Sequence, residues 1–464
     1  YNILSAPTAA NRPEVQLGQK SGVCMSFGKV KQNIVVLTAS NLIIGLIEFV
    51  FNMYLSRILG AEGLGLLSLV APINSLFLSF MTEGLVVTIS KMSARYQHYQ
   101  DYAAMDGMIK ISTAFSFLWS ILLSGLVWLT AGPIASGFLG DPSLRYPILS
   151  VCPLMILMSI SNIVKGHFLG LAKIKIPSAI NISEKILRFP ILYTLIRFCL
   201  NHTDFPPVTL VYLCYAIGEM QSVLLLMIYY KKTLPKSPPQ PISLQTVKNT
   251  LLPLIRGAAP ICLTQCLLES VNAFSSVIVK SRLCSIGYSA AESLSLLGKY
   301  KGMVFPLMNY PMILVSSTCS IVVPKVATMM TAGKGRFADR LLLRCLLVAF
   351  VIGLFTGGVF WIFADEMGVF FYKQEDLALM IRLSGICSPL LYVTAATTSL
   401  LISIGQEAQS FRNSLFQQLL LLIFLILFTG IPALNIYGYI AAAALSNAVL
   451  LVQNLYFLKL HRST

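Results

Sequence analysis

The sequence predicts an all-α polytopic membrane protein of about twelve transmembrane helices, in two six-helix bundles related by pseudo-two-fold symmetry. Three observations predict it. Of 464 residues, 56% are hydrophobic and 11% charged, and the mean hydropathy is +0.77, whereas a soluble domain carries about 25% charged residues. Apolar runs recur at the length of about 20 residues that a helix needs to cross hydrocarbon. They are too long, and alternate too little, for barrel strands. Finally, one interior stretch, KKTLPKSPPQPISLQTVKN at 231–249, is Pro-rich, basic and weakly apolar, and it parts the runs into equal sets.

The elements follow in order. Residues 1–30 are expected to form a disordered N-terminal extension. Residues 1–24 are polar, with no apolar core before a cleavage site, so they do not read as a signal peptide; Met25 opens a stretch that reads like a natural start. The first bundle, 31–230, holds runs at 34–56, 64–90, 109–132, 146–170, 176–198 and 207–230. The stretch 231–249 is expected to be a cytoplasmic linker. The second bundle, 250–464, holds runs at 250–280, 294–324, 341–363, 378–404, 414–434 and 437–458. With the N-terminus inside, 22 of the 34 Lys+Arg residues, Lys165 among them, fall on inner segments. The positive-inside rule therefore puts both termini in the cytoplasm.

Composition also narrows the function. The net charge is +16, but the bases sit in gaps between apolar runs, with no aromatic-interleaved basic face, so no nucleic-acid partner is expected. Ten cysteines without a CxxC motif argue against disulfides and zinc. His98, His167, His202 and His461 are isolated, and no P-loop appears. The expectation is no enzyme and no cofactor, with membrane lipids as surroundings and a monomer as the working state.

An internal repeat supports the two bundles. Pro72, Ser90 and Lys91 in the second run correspond to Pro306, Pro324 and Lys325 in the eighth, shifted by 234 throughout. An even number of spans per bundle gives both the same orientation, related by an axis along the membrane normal. The first run also carries Asn41, Gly45, Glu48 and Asn52 at spacings that share one helical face. The seventh repeats the spacing with Gln265, Glu269, Asn272 and Ser276. An ionisable group near a helix centre costs about 2.5–3.5 kcal/mol to insert, so each acidic stripe is expected to line a cavity. Packing by helix–helix hydrogen bonds is the plainer alternative. Glu184 and Arg188 are four apart and read as a self-contained pair. Lys185 points to another face without such a partner. Glu219 shares with Tyr212, Tyr215 and Ser222 a polar-aromatic stripe expected to line a cavity, with simple packing as the alternative, and Glu83 reads as structural.

The stretch SRILGAEGLGLLSLVAPINSLFLSFMTEGLVVTISKMSARY (Ser56–Tyr96) resembles the polysaccharide-exporter and stage V sporulation protein B group. That group lies within the multidrug/oligosaccharidyl-lipid/polysaccharide (MOP, MATE-like) flippase superfamily. GLAKIKIPSAINISEKILR (Gly170–Arg188) and LLGKYKGMVFPLMNYPMILVSSTCSIVVPKVA (Leu296–Ala327) extend the resemblance, which covers nearly everything from about 30 to 460. It implies a V-shaped, alternating-access transporter in the cell membrane, flipping or exporting a lipid-linked saccharide, with a role in cell-wall assembly or sporulation. A carrier of such lipids needs cations at membrane depth. Arg188, Lys185 and Arg256 are the candidates for phosphate, with Lys299 and Lys301 nearer the outer surface; Asn41, Asn52, Gln265 and Asn272 are candidates for sugar hydroxyls. The first run carries Glu48 where the resembled peptidoglycan-precursor flippases carry arginines, so that particular substrate fits less well. The alternative is an exporter of small organic cations, coupled to H⁺ or Na⁺ through Glu48 and Glu269.

Overall fold

The computed structural model describes residues 27–80, 83–199, 206–233, 244–331 and 335–463. Of the expected extension, 1–30, residues 1–26 lie outside the described residues, while 27–30 are helical; of the expected linker, 231–249, residues 234–243 lie outside them, while 231–233 and 244–249 continue the flanking helices. The chain runs through α1 (Phe27–Ser79), α2 (Glu83–His98), α3 (Tyr102–Pro133), α4 (Arg145–Leu149), α5 (Val151–Gly170), α6 (Lys175–Cys199) and α7 (Pro207–Thr233). It continues with α8 (Leu244–Ser285), α9 (Ala290–Leu297), a π-helical turn (Gly298–Val304) and α10 (Phe305–Thr331). The last elements are α11 (Gly335–Ile362), α12 (Ala364–Tyr372), α13 (Ala378–Ser403), α14 (Glu407–Phe428) and α15 (Tyr437–Ser463).

Nine helical stretches among the described residues are long and apolar enough to cross a membrane. The first, Val36–His98, merges two expected spans. No loop separates them: α1 turns at Gly60, whose φ of 66° and ψ of −175° break the helical path within an otherwise continuous run. A side chain disfavours this left-handed φ, which glycine accepts freely. The expected spans 176–198 and 294–324 are helical but fall outside the nine. The first carries Glu184, Lys185 and Arg188 in α6, and the second is interrupted by the π turn with Lys299 and Lys301. Pro432 follows soon after the end of α14, which stops at Phe428 rather than reaching 434.

Helices before and after 231–249 meet along a seam built by glycine. A Cβ on Gly298 would lie 1.9 Å from the Ala61 carbonyl oxygen, and one on Gly65 would lie 2.0 Å from that of Leu294. At such distances only glycine lets two helix backbones touch. The seam continues where Gly45 of α1 faces Ile313 of α10. There the Phe49 amide also donates to the Tyr310 hydroxyl at 3.0 Å, and the two rings lie 4.3 Å apart. Outward-facing surfaces remain apolar, with Leu118, Trp128, Phe355 and Phe370 well exposed, as a lipid solvent requires.

Candidate substrate cavity and its charge network

Four helices bring six ionisable side chains together at membrane depth. Within α6, Arg188 donates through Nε to Glu184 Oε1 at 2.6 Å, the expected one-turn pair. Glu184 can press against α7 because position 218 is glycine, where a Cβ would sit 3.0 Å from its Oε1. One residue on, Glu219 accepts from Lys165 of α5 at 3.0 Å. Lys185 reaches Glu48 of α1 at 2.8 Å and lies 3.7 Å from Glu184. The Arg188 guanidinium stacks over the Tyr215 ring, 4.3 Å from its centroid, a contact worth up to about 2 kcal/mol when desolvated. Three carboxylates thus meet three cations. In lipid, where a lone charge is costly, such internal neutrality is what permits the cluster.

The network extends one reading and corrects another. Lys185, with no partner one turn away on α6, finds one on α1, which linear spacing within α6 does not reveal. Lys165, counted among the inner loop bases, lies inside α5 with its side chain only 15% exposed. A lysine within an apolar run this long is itself an intramembrane ionisable residue, and that signal was present in the sequence.

The two acidic stripes open onto two separate cavities. The first, about 360 Å³, is lined by Thr38, Asn41, Gly45 and Glu48 of α1 with Ile313, Ser316 and Ser317 of α10. The second, about 300 Å³, is lined by Ser75 and Pro72 of α1, Glu269 and Asn272 of α8, Lys301, and Tyr439 of α15. Asn41 and Glu48 therefore share one cavity, and Glu269 and Asn272 the other. Asn52 lies farther along α1, its Oδ1 buried without a hydrogen bond among the described residues. Gln265 lies on α8 two turns before Asn272, outside the residues lining that cavity. Arg256 is exposed and joins neither cavity nor network.

Lys301 emerges as a cavity residue that the sequence placed nearer the surface. Its Nζ donates to Ser276 at 2.7 Å and Ser275 at 3.2 Å and lies 5.5 Å from the Tyr439 ring centroid. The π turn adds a residue to its helical circuit and so re-aims Lys301. No short motif announces such a turn.

A family model described as polysaccharide biosynthesis protein matches residues 30–330. The chain belongs to this family. It is 23% identical over 425 residues to stage V sporulation protein B of Bacillus subtilis (strain 168), covering 90% of this chain and 80% of that one. It is 20% identical over 357 residues to sporulation protein YkvU of the same strain, covering 76% and 77%. Among solved structures, the inward-facing conformation of a multidrug resistance MATE family transporter of the MOP superfamily superposes with a TM-score of 0.67 at 16% identity, covering 92% of this chain and 98% of that one. The outward-facing conformation of such a transporter gives 0.63 at 17% identity, covering 96% and 99%. The fold is therefore that of MATE-like transporters, and the protein is a multi-pass membrane protein of a polysaccharide biosynthesis family.

Proposed function

We infer that the protein carries a lipid-linked saccharide across the cell membrane by alternating access. The observation that carries this reading is the pair of cations, Lys185 and Arg188, held inside the membrane-spanning region beside a polar cavity. A diphosphate- or phosphate-linked head group needs such cations once it leaves water, and its tail can stay in the bilayer. Lys185 and Arg188 meet the phosphate; Asn41 and Asn272, which line the two cavities, supply hydrogen bonds for sugar hydroxyls. The second cavity, with Lys301 and Glu269, receives the head group when the seam opens to the other side. The halves 31–230 and 250–464 rock against each other about the 231–249 connection, with Pro72 and Pro306 near the moving parts. Both termini face the cytoplasm, the protein acts as a monomer, and no chemistry is performed on the substrate.

Native mass spectrometry of the gently purified protein tests this, by looking for retained prenyl phosphates or prenyl diphosphates. Hydrogen bonds to charged groups contribute about 1.5–3 kcal/mol, so Arg188→Gln should weaken retention of an added prenyl diphosphate by about 10- to 150-fold. Undiminished retention in either Arg188→Gln or Lys185→Gln sinks the assignment. The alternative, an H⁺- or Na⁺-coupled exporter of organic cations, draws on Glu269 in the second cavity and on Glu48. Glu48 is already neutralised by Lys185, which weakens its pull on a cationic drug. Cationic dyes bound in a Glu48- and Glu269-dependent way, with no lipid retained, would put that alternative first.

A further inference from the structure

Glu48 is the odd member of the charge network. Its side chain is 51% exposed, whereas those of Lys185, Arg188 and Glu184 are 19%, 14% and 3% exposed. Glu184 lies close to both cations, 2.6 Å from Arg188 and 3.7 Å from Lys185. Glu48 comes from another helix, α1, and it reaches Lys185 from the side of the cavity it lines with Asn41, Ser316 and Ser317. It therefore occupies the place where an incoming anion would meet Lys185.

We propose that Glu48 is a tethered competitor that sets the charge selectivity of the phosphate site, admitting head groups with two or more negative charges and turning away those with one. This rests on the lipid-phosphate reading above. The physical problem is abundance: membranes are rich in anionic lipids, and a bare Lys185–Arg188 pair would fill with monoanionic phosphodiesters. A carboxylate held nearby acts at an effective concentration in about the millimolar range or above. A monoanion that displaces it gains at Lys185 only what Glu48 gives up. A phosphomonoester or diphosphate gains at Lys185 and Arg188 together, and so prevails. Specificity then comes from a built-in penalty against the wrong ligand. Glu48, once released, has Asn41, Ser316 and Ser317 around it, and the tie between α1 and α6 is undone only by a correctly charged ligand.

The experiment is a competition on the full-length protein, read by native mass spectrometry. Phosphatidylglycerol, a prenyl diphosphate and inorganic diphosphate are offered together to the wild type, Glu48→Gln, Glu48→Asp and Lys185→Gln. The wild type should retain prenyl diphosphate over phosphatidylglycerol. Glu48→Gln should bind both lipids more tightly, with the ratio falling at least about tenfold, or 1.4 kcal/mol, while Glu48→Asp restores it. An unchanged ratio in Glu48→Gln, or weaker prenyl diphosphate binding there, overturns the competitor. A wild type that retains no prenyl diphosphate, or a Lys185→Gln that retains it fully, overturns the underlying reading instead. Free diphosphate retained in place of the lipid overturns the assignment to a lipid head group.

Discussion

The first bundle is held together at membrane depth by ions, and the last helices by neutral amides and hydroxyls. In the first, Lys165–Glu219 and the Glu48–Lys185–Glu184–Arg188 chain join α1, α5, α6 and α7. In the last, Asn413 Nδ2 donates to Asn454 Oδ1 at 3.0 Å, and Asn454 Nδ2 donates to Thr398 at 3.0 Å and Thr397 at 3.2 Å. Gln417 donates to Ser446 at 3.1 Å. Both arrangements satisfy polar groups away from water, but they behave differently toward a ligand. An ion can exchange one counter-ion for another. An amide ladder gains nothing from an anion and stays as it is. On the proposed function, the difference would separate a region that binds from a region that stays as it is.

The largest effect should come from breaking a deeply buried ion pair that joins two helices. Lys165→Met leaves Glu219, with a side chain 6% exposed, as an unpaired buried charge, and stability should drop by about 3–5 kcal/mol. Thermal unfolding in detergent checks this, and Lys165→Met/Glu219→Met should recover most of the loss, because well-packed apolar pairs replace buried ion pairs at little cost. If the single variant melts like wild type, the ionic cluster is not what holds α5 to α7.

Asn454→Ala sharpens the other side of the contrast. It leaves polar partners on α13 and α14 unsatisfied and should cost about 1–3 kcal/mol, with prenyl diphosphate retention unchanged. Loss of lipid binding at unaltered stability would mean that the amide ladder, too, belongs to the site.

The smallest effect tests a charge that faces water. At the start of α9 the Ser289 amide and hydroxyl both donate to Glu292 Oε2 at 2.9 Å, and the Glu292 amide donates to Ser289 Oγ at 3.2 Å. These bonds hold the Glu292 carboxyl below its ordinary value of 4.5. A depressed native value means the contribution is present above pH 4.5 and is lost as pH falls through the native value. The protection factors of the 289–293 amides, taken against the intrinsic exchange rate at each pH, should therefore fall under acid, and Glu292→Gln should remove that dependence. An acid response that survives in Glu292→Gln would assign it to another group.

Much of this was legible in the sequence. Low charge and repeated apolar runs gave the helical membrane fold, because lipid admits few alternatives. The spacing of Asn41 and Glu48, and of Glu269 and Asn272, identified residues that line cavities. Helical periodicity also paired Glu184 with Arg188. What it could not reach was contact between helices distant in the chain: Lys185 with Glu48, Lys165 with Glu219. Nor could it find Lys301, whose direction depends on a π turn, or separate the two stripes into two cavities, because a stripe gives a face and not what lies opposite. Arg256, read as a phosphate candidate from its position in an apolar run, stands apart because its face of α8 looks outward.

Gly60 bears on how any movement would propagate. A loop between the first two spans would absorb displacement, since its residues can adjust independently. Here Glu48 sits twelve residues before the bend and Gly65 five after it, on two helical arms joined by a single elbow. Such a pair of arms would work as a crank. On the competitor proposal, a small swing of the first arm when Glu48 changes partners would be delivered to the second, whose tight backbone contacts with Leu294 and Gly298 leave little slack to take it up.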